Sequence, residues 1–179
     1  MIVGSDVYIS PSAEFRRPEL IKIGNRVAID SFFYCTTQLT IGDYVHVSPH
    51  VAVIGGKTTG LIVEDFCFMS VGSKYVCGSE TFVGQGLVGP LIPDEYKEQQ
   101  HLAAITLRRF SGALANSVIL PGVTMAEGSV LGANSLLKED TMPWTIYVGN
   151  PAKPIKTRDS YKSYEYAEKL GYHYDNKPI

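Results

Sequence analysis

The chain has 179 residues, 45% of them hydrophobic and 19% charged, with a formal net charge of −2. That composition belongs to a globular chain of one domain's size, and its balance excludes a global field that recruits nucleic acid or an anionic membrane. Any polyanionic ligand must be held by a local basic cluster.

The opening "MIVGSDVYIS" lacks the basic n-region and long apolar core of a secretory signal, and no apolar run approaches the ~18 residues of a spanning helix. Val3 and Ile9 begin a spacing of six residues. After a two-residue excess at "EFRRPEL", Ile23, Ile29, Cys35, Ile41, Val47 and Val53 keep it. The stretch "GGKTTG" reads as a small protruding loop, beyond which Val63, Met69, Tyr75 and Thr81 resume the step. Segment 82–112 is too long for a corner and too polar in its middle for a core. It is expected to leave the scaffold as a long loop, a preferred place for function. Ala113, Ile119, Met125, Leu131 and Leu137 then complete the series. After Lys156 the period ends, and "DSYKSYEYAEKLG" predicts a helix with Asp159 or Ser160 as N-cap and Gly171 beyond its end. Tyr161, Tyr164 and Leu170 fall near one face of that helix and are expected to dock it on the coil or on a neighbour.

A fixed period of six marks a solenoid. Each hexad supplies one short flat strand and one corner, three hexads complete a triangular turn, and turns stack by parallel pairing at ~4.8 Å. The first residue of each hexad points inward. The fifth is expected to be small, because it packs close to a corner; Val7, Ala13, Val27, Phe33, Leu39, Val45, Val51, Cys67, Ser73, Ser117, Val123, Ser129 and Ser135 hold that place. Three cysteines, Cys35, Cys67 and Cys77, form no CxxC pair and are odd in number. They predict a reduced, cytoplasmic protein whose thiols are small core residues.

The hexads, with "ILPGVT", "LGANS" and "VGNPAK", resemble the hexapeptide-repeat acyltransferases. This resemblance implies a left-handed parallel β-helix, an all-β solenoid, over residues 1–158, with 159–179 as a C-terminal helix and tail. It also implies a homotrimer with active sites between subunits, each binding acetyl-CoA or another acyl-CoA beside a sugar acceptor, without a metal. The stretch "VGQGLVGPLIPDEY" further resembles S-G-E-x-L-T-N-P-x-x-P-x-E-Y, a segment of the sugar O- and N-acetyltransferases of bacterial surface-polysaccharide pathways. Gly84, Leu87, Pro90, Pro93, Glu95 and Tyr96 match it, while Gln85 replaces the acid and Gly89 the Asn. The implied acceptor is a sugar, carried on a nucleotide.

Acyl transfer to a hydroxyl needs a strong general base, usually His, whereas an amine retains a neutral fraction near neutrality. In the O-acetyltransferases the resemblance puts that His at the fourth place of a hexad, where this chain has Asn116, a side chain without useful basicity. His50 holds the same hexad place on an earlier coil and is the alternative base. Asp94 and Glu95 on the long loop, and Glu80 at its root, are acids able to accept a proton or bind sugar hydroxyls; Gln85, Tyr96 and Asn116 join them as acceptor contacts. For CoA, the resemblance points to the corner Gly132-Ala133 for the pantetheine arm, to Lys138, and to Lys153, Lys156 and Arg158 for phosphates. Trp144 is read as packing, with the adenine end as its alternative. Two rivals remain: a γ-class carbonic anhydrase, for which His46, His50 and His101 are spaced poorly, and a non-catalytic trimeric scaffold.

Overall fold

The computed structural model describes residues 1–174; positions 175–179 of the expected C-terminal segment lie outside the described residues. The chain is a left-handed parallel β-helix with three flat faces. The first sheet has 6 strands, from Ile2–Val3 to Thr124–Met125, and the third has 6, from Glu14–Phe15 to Leu136–Leu137. The second has 8, starting at Tyr8–Ile9 and ending on Thr145–Gly149 and the antiparallel Ala152–Thr157. Most strands are only two residues long, so stability comes from stacking. Each inward residue lands on its counterpart one coil away, as in Val47 over Ile29 and Met69 over Val47.

The inward positions are buried from Ile23 to Leu137, except Thr81. Val3, on the open end of the coil, is 43% exposed. Thr81 leaves the series because the chain has already turned away from the wall there. Its predecessors Gly78–Glu80 pair antiparallel with Gln100–Leu102 as a two-stranded stalk. The loop expected over 82–112 is therefore shifted: it departs at Gly78 and ends before Ile105–Leu107, which pairs with Gly60–Val63 in the first sheet. Apolar "AITL" returns to the core because two parallel neighbours satisfy its backbone there. The fifth hexad position also proves less restrictive than expected, since Phe33 and Leu39 fill it fully buried. All three cysteines are buried and free, and desolvation raises their thiols to about 11 for Cys35 and about 12 for Cys67 and Cys77.

The fourth hexad residue makes the corner, in left-handed backbone conformation. Along the edge between first and second sheets these are Asp6, Arg26, Tyr44, Phe66, Phe110 and, entering the last strand pair, Trp144. Tyr44 stacks on Phe66 at 5.2 Å and Phe66 on Phe110 at 5.3 Å. Gly128 occupies the corner between Phe110 and Trp144; a Cβ there would lie 2.3 Å from the Trp144 ring. Leaving that space empty lets Trp144 reach 5.8 Å from Phe110. The helix Tyr161–Lys169 docks on this aromatic column through Tyr164 and Ala167, not through Tyr161 and Leu170, which stay 65% and 49% exposed. Tyr164 and Ala167 are i and i+3, one helix face, and the Tyr164 hydroxyl donates to Glu127. Asp159 accepts the Tyr161 N–H at 2.8 Å while Ser160 takes the N-cap position, and Gly171 with φ 89° ends the helix.

A second edge, between second and third sheets, carries Phe32, His50, Gly72, Asn116 and Asn134 at its corners. The third edge carries every interruption read in the sequence: the 3-10 turn Pro18–Leu20, the "GGKTTG" loop and the long loop. The long loop is organised by Glu98, buried at 3% exposure, whose carboxylate receives the N–H groups of Gly84, Gln85 and Gly86 and the Thr81 hydroxyl. Desolvation raises its pKa, but these donors together outweigh it and hold Glu98 below the ordinary glutamate range.

Two outcomes follow from this packing. Gly128→Ala is expected to destabilise by about 1–3 kcal/mol and Trp144→Ala by about 3–5 kcal/mol, with the double variant costing less than the sum in urea denaturation. Because the folded pKa of Glu98 is depressed, its stabilisation is present above the ordinary glutamate pKa and lost as pH falls through the lower folded value. Protection of the 84–86 amides against hydrogen exchange, taken relative to the intrinsic rate at each pH, should therefore be high at neutral pH, fall in acid, and be lost throughout in Glu98→Ala, with the protection of the coil amides unchanged.

Candidate active site

The second edge brings together the two groups weighed as base and its replacement. Backbone bonds link the corners in series: His50 N–H to Ser31 O, Gly72 N–H to Pro49 O, Asn116 N–H to Val71 O. His50 and Asn116 thus share one edge, two coils apart, about 9.6 Å along the axis. Asn116 has φ 57°, a conformation Asn tolerates better than most residues. A Cβ at Gly72 would stand 2.4 Å from Asn116 Oδ1, so Gly72 gives the amide its room. His50 has φ 60°, is exposed, and stacks on Phe32 at 4.9 Å. His46 lies on the second sheet and bonds Asp30 at 2.8 Å, and His101 is on the loop stalk. The histidines considered for a zinc site do not converge, and among the described residues no three metal-capable side chains do.

On the third edge, Asp94, Glu95 and Tyr96 form an exposed 3-10 turn. Lys97 Nζ donates to Asp94 Oδ1 at 2.7 Å, and that bond, reinforced by its charge, holds the Asp94 carboxyl below its usual range. The charge of Lys57, on the "GGKTTG" loop, acts weakly in the same direction. Gln85 gives its backbone N–H to Glu98 and leaves its side chain exposed, while Glu80 stands half-buried on the stalk opposite Gln100. Glu98, the group that shapes this loop, was missed by sequence reasoning. Its only sequence signal was a carboxylate following a Gly-rich turn that needed an acceptor for its amides.

At the C-terminal end, Lys138 and Lys153 line one cavity of about 160 Å³ with Leu137, Glu139, Asp140, Tyr147, Ala152 and Pro154. Lys138 lies 3.5 Å from Glu139. Gly132 is buried and its N–H bonds Tyr147 O at 2.7 Å, while Ala133 and Asn134 beside it are exposed. Arg158 does not join Lys153. The strand Ala152–Thr157 carries the chain across a whole face at ~3.4 Å per residue. It delivers Arg158 to the first edge, where Nη1 donates to Gly128 O at 3.1 Å and the guanidinium lies 5.4 Å from the Trp144 ring centroid. Burial there lowers its pKa. Lys156 is exposed on the same strand, outside the cavity.

No family model matches the chain. It is 34% identical over 160 residues to a dTDP-4-amino-4,6-dideoxy-D-glucose acyltransferase of Escherichia coli, covering 87% of this chain and 81% of that one. The crystal structure of AntD, an N-acyltransferase from Bacillus cereus, in complex with dTDP and 3-hydroxybutyryl-CoA is similar with TM-score 0.86 and 34% identity, covering 94% and 88% of the two chains. The hexapeptide-repeat acetyltransferase VCA0836 from Vibrio cholerae, at 20% identity and TM-score 0.64 over 80% of this chain and 75% of that one, shares the fold. Sequence kinship over most of both lengths, on a coil of the same shape, makes this chain a member of the hexapeptide-repeat acyltransferases.

Proposed function

We propose that the protein transfers an acyl group from acyl-CoA to the amino group of a nucleotide-linked amino sugar. Asn116 carries this reading: the corner that holds a base in the resembling O-acetyltransferases has an amide here. Kinship to an acyltransferase of a dTDP-amino sugar and to an N-acyltransferase crystallised with dTDP and an acyl-CoA supports it. The neutral amine attacks the thioester carbonyl, the C–N bond forms, and the C–S bond breaks as the thiolate departs. The proton released by nitrogen passes to the departing sulfur or to solvent, which requires no strong base. Alignment of the two substrates supplies much of the rate.

The roles follow from the chemistry of each position. The Asn116 amide is placed to hydrogen-bond the acceptor or the developing oxyanion. Asp94, kept ionised by Lys97, attracts an ammonium acceptor, and Glu95, Glu80, Gln85 and Tyr96 contact the sugar. Ala133, Lys138, Lys153 and Lys156 serve the CoA side, where the lysines meet phosphates. We assign the active unit as a homotrimer with the site between subunits. The exposed Phe32 and Val71 on the second edge, and Leu91 at 94% exposure on the long loop, suit burial against a neighbour. Among the described residues no helix is long and apolar enough to cross a membrane. The nucleotide-linked acceptor is the ground on which we place the reaction in cytoplasmic synthesis of surface polysaccharide, lipopolysaccharide included.

His50, exposed on the same edge, favours sugar O-acetylation as the second reading. The two separate in a thiol-release assay with acetyl-CoA against nucleotide-linked amino sugars and free glycosides. Amino sugars are expected to be the turned-over class. His50→Asn is expected to lower kcat/KM by far less than the ~10²–10⁴ of losing a general base. A larger loss with CoA binding intact would assign the base to His50.

A further inference from the structure

Between His50 and Asn116 the second edge turns at Gly72, a buried residue with φ 68°. Asn116 Oδ1 stands over it, 2.4 Å from where a Cβ would lie. The carbonyl of the same glycine accepts from Lys74 Nζ at 2.8 Å. One corner residue therefore brings an amide and an ammonium together. Lys74 belongs to the coil next to that of Asn116, whereas His50 lies two coils away.

Lys74 stands apart from its neighbours in the stack. The pairing registers of the third sheet align Glu14, Tyr34, Ala52, Lys74, Val118 and Leu136, each two residues beyond a corner. Lys74 is the one cation among these six, and Ala52 and Val118 on either side of it are apolar and half-buried. Lys97, Lys138, Lys162 and Lys169 pair with carboxylates. Among the described residues no carboxylate pairs with Lys74, and its charge is screened less for its apolar neighbours. An ammonium has three donors, so the bond to Gly72 leaves two for a ligand. That bond also fixes a long stem which would otherwise sample many rotamers.

Acyl transfer develops negative charge at one atom. As the amine nitrogen adds to the thioester carbonyl, the C=O π pair moves onto oxygen. It returns when the C–S bond breaks and the thiolate leaves with the bonding electrons. At this corner Asn116 supplies a neutral donor, and a cation beside it completes what an oxyanion needs. Resting on the acyl-transfer reading above, we propose that Lys74 is a catalytic residue. Its ammonium, tethered on Gly72, hydrogen-bonds the thioester oxygen beside the Asn116 amide as that oxygen becomes an oxyanion. Lys74 keeps its proton throughout, and the proton released by nitrogen still passes to sulfur or solvent. A cation already in place where charge appears stabilises the transition state more than the neutral ground state.

Single-turnover kinetics of the full chain test this, with acetyl-CoA as donor and dTDP-4-amino-4,6-dideoxy-D-glucose and the other nucleotide-linked amino sugars as acceptors. Calorimetry with CoA and with dTDP, and thermal unfolding, are run beside them. Lys74→Met keeps the stem and removes the charge. It is expected to lower the rate at saturating substrates on the order of 10²-fold, with CoA and dTDP affinities within about twofold of wild type and Tm unchanged. Lys74→Cys should be equally slow and regain at least ~10-fold on alkylation with bromoethylamine, which rebuilds an ammonium at similar reach. Cys35, Cys67 and Cys77 are buried with raised thiol pKa values, so the alkylation falls on position 74. An unchanged rate in Lys74→Met would overturn the assignment. So would a loss that appears in CoA or dTDP affinity, which marks a binding contact, or one that tracks a fall in Tm, which marks a tether for the corner. Wild type that acylates none of the amino sugars would overturn the acyl-transfer reading itself.

Discussion

Each coil of this protein turns by placing the fourth hexad residue in left-handed backbone conformation. That requirement governs what else the corners can do. For a residue with a Cβ the conformation costs about 1–2 kcal/mol, least for Asn, and Gly escapes the clash altogether. The chain meets it with Gly72, Gly122, Gly128, Asn116 and Asn134, but also with Phe32, Tyr44, Phe66, Phe110 and Trp144. Aromatic corners offset the strain by stacking on the rung above or below, at the spacing the parallel pairing already imposes. A corner without a partner would have no such return.

The three edges have consequently taken different work. The first is an aromatic column, sealed by the C-terminal helix and by Tyr172 and Tyr174, whose hydroxyls donate to Asp43 at 2.6 Å and Asp65 at 3.0 Å. Those carboxylates already accept corner amides from Asn25 and Asp43, so the tail fastens onto groups that hold the coil. The second edge exposes His50 and Asn116. The third takes all the inserted chain, because a turn there can be lengthened without interrupting a stacked rung.

This division bears on Asn116. The amide has a backbone reason to stand at a left-handed corner, and that reason is compatible with a chemical one. A base at the same place would have to bear the corner strain as His50 does, supported by its stack on Phe32. Asn116 stands beside Gly72, which offers no ring to lean on, so the edge is built for a small amide at this level. Chemistry that needs only alignment of an amine with a thioester fits such a corner.

The period of six was enough by itself to determine a triangular coil and its inward residues apart from Thr81, because every rung repeats the same local requirement, while the C-terminal helix was legible in its own capping residues. The three interruptions were equally plain as excess length. What the sequence could not express was which corner each occupied, since that depends on counting faces through the irregular stretches between Ile9 and Ile23 and between Thr81 and Ala113. Nor could it separate Arg158 from Lys153, close in sequence but carried to opposite sides of a face by one extended strand. Glu98 was hidden for a related reason: its partners are backbone amides brought to it only when the loop folds back. Local periodicity fixed the wall; the placing of charges on it was decided by stacking, which joins residues about eighteen apart and sets neighbours in sequence on different faces.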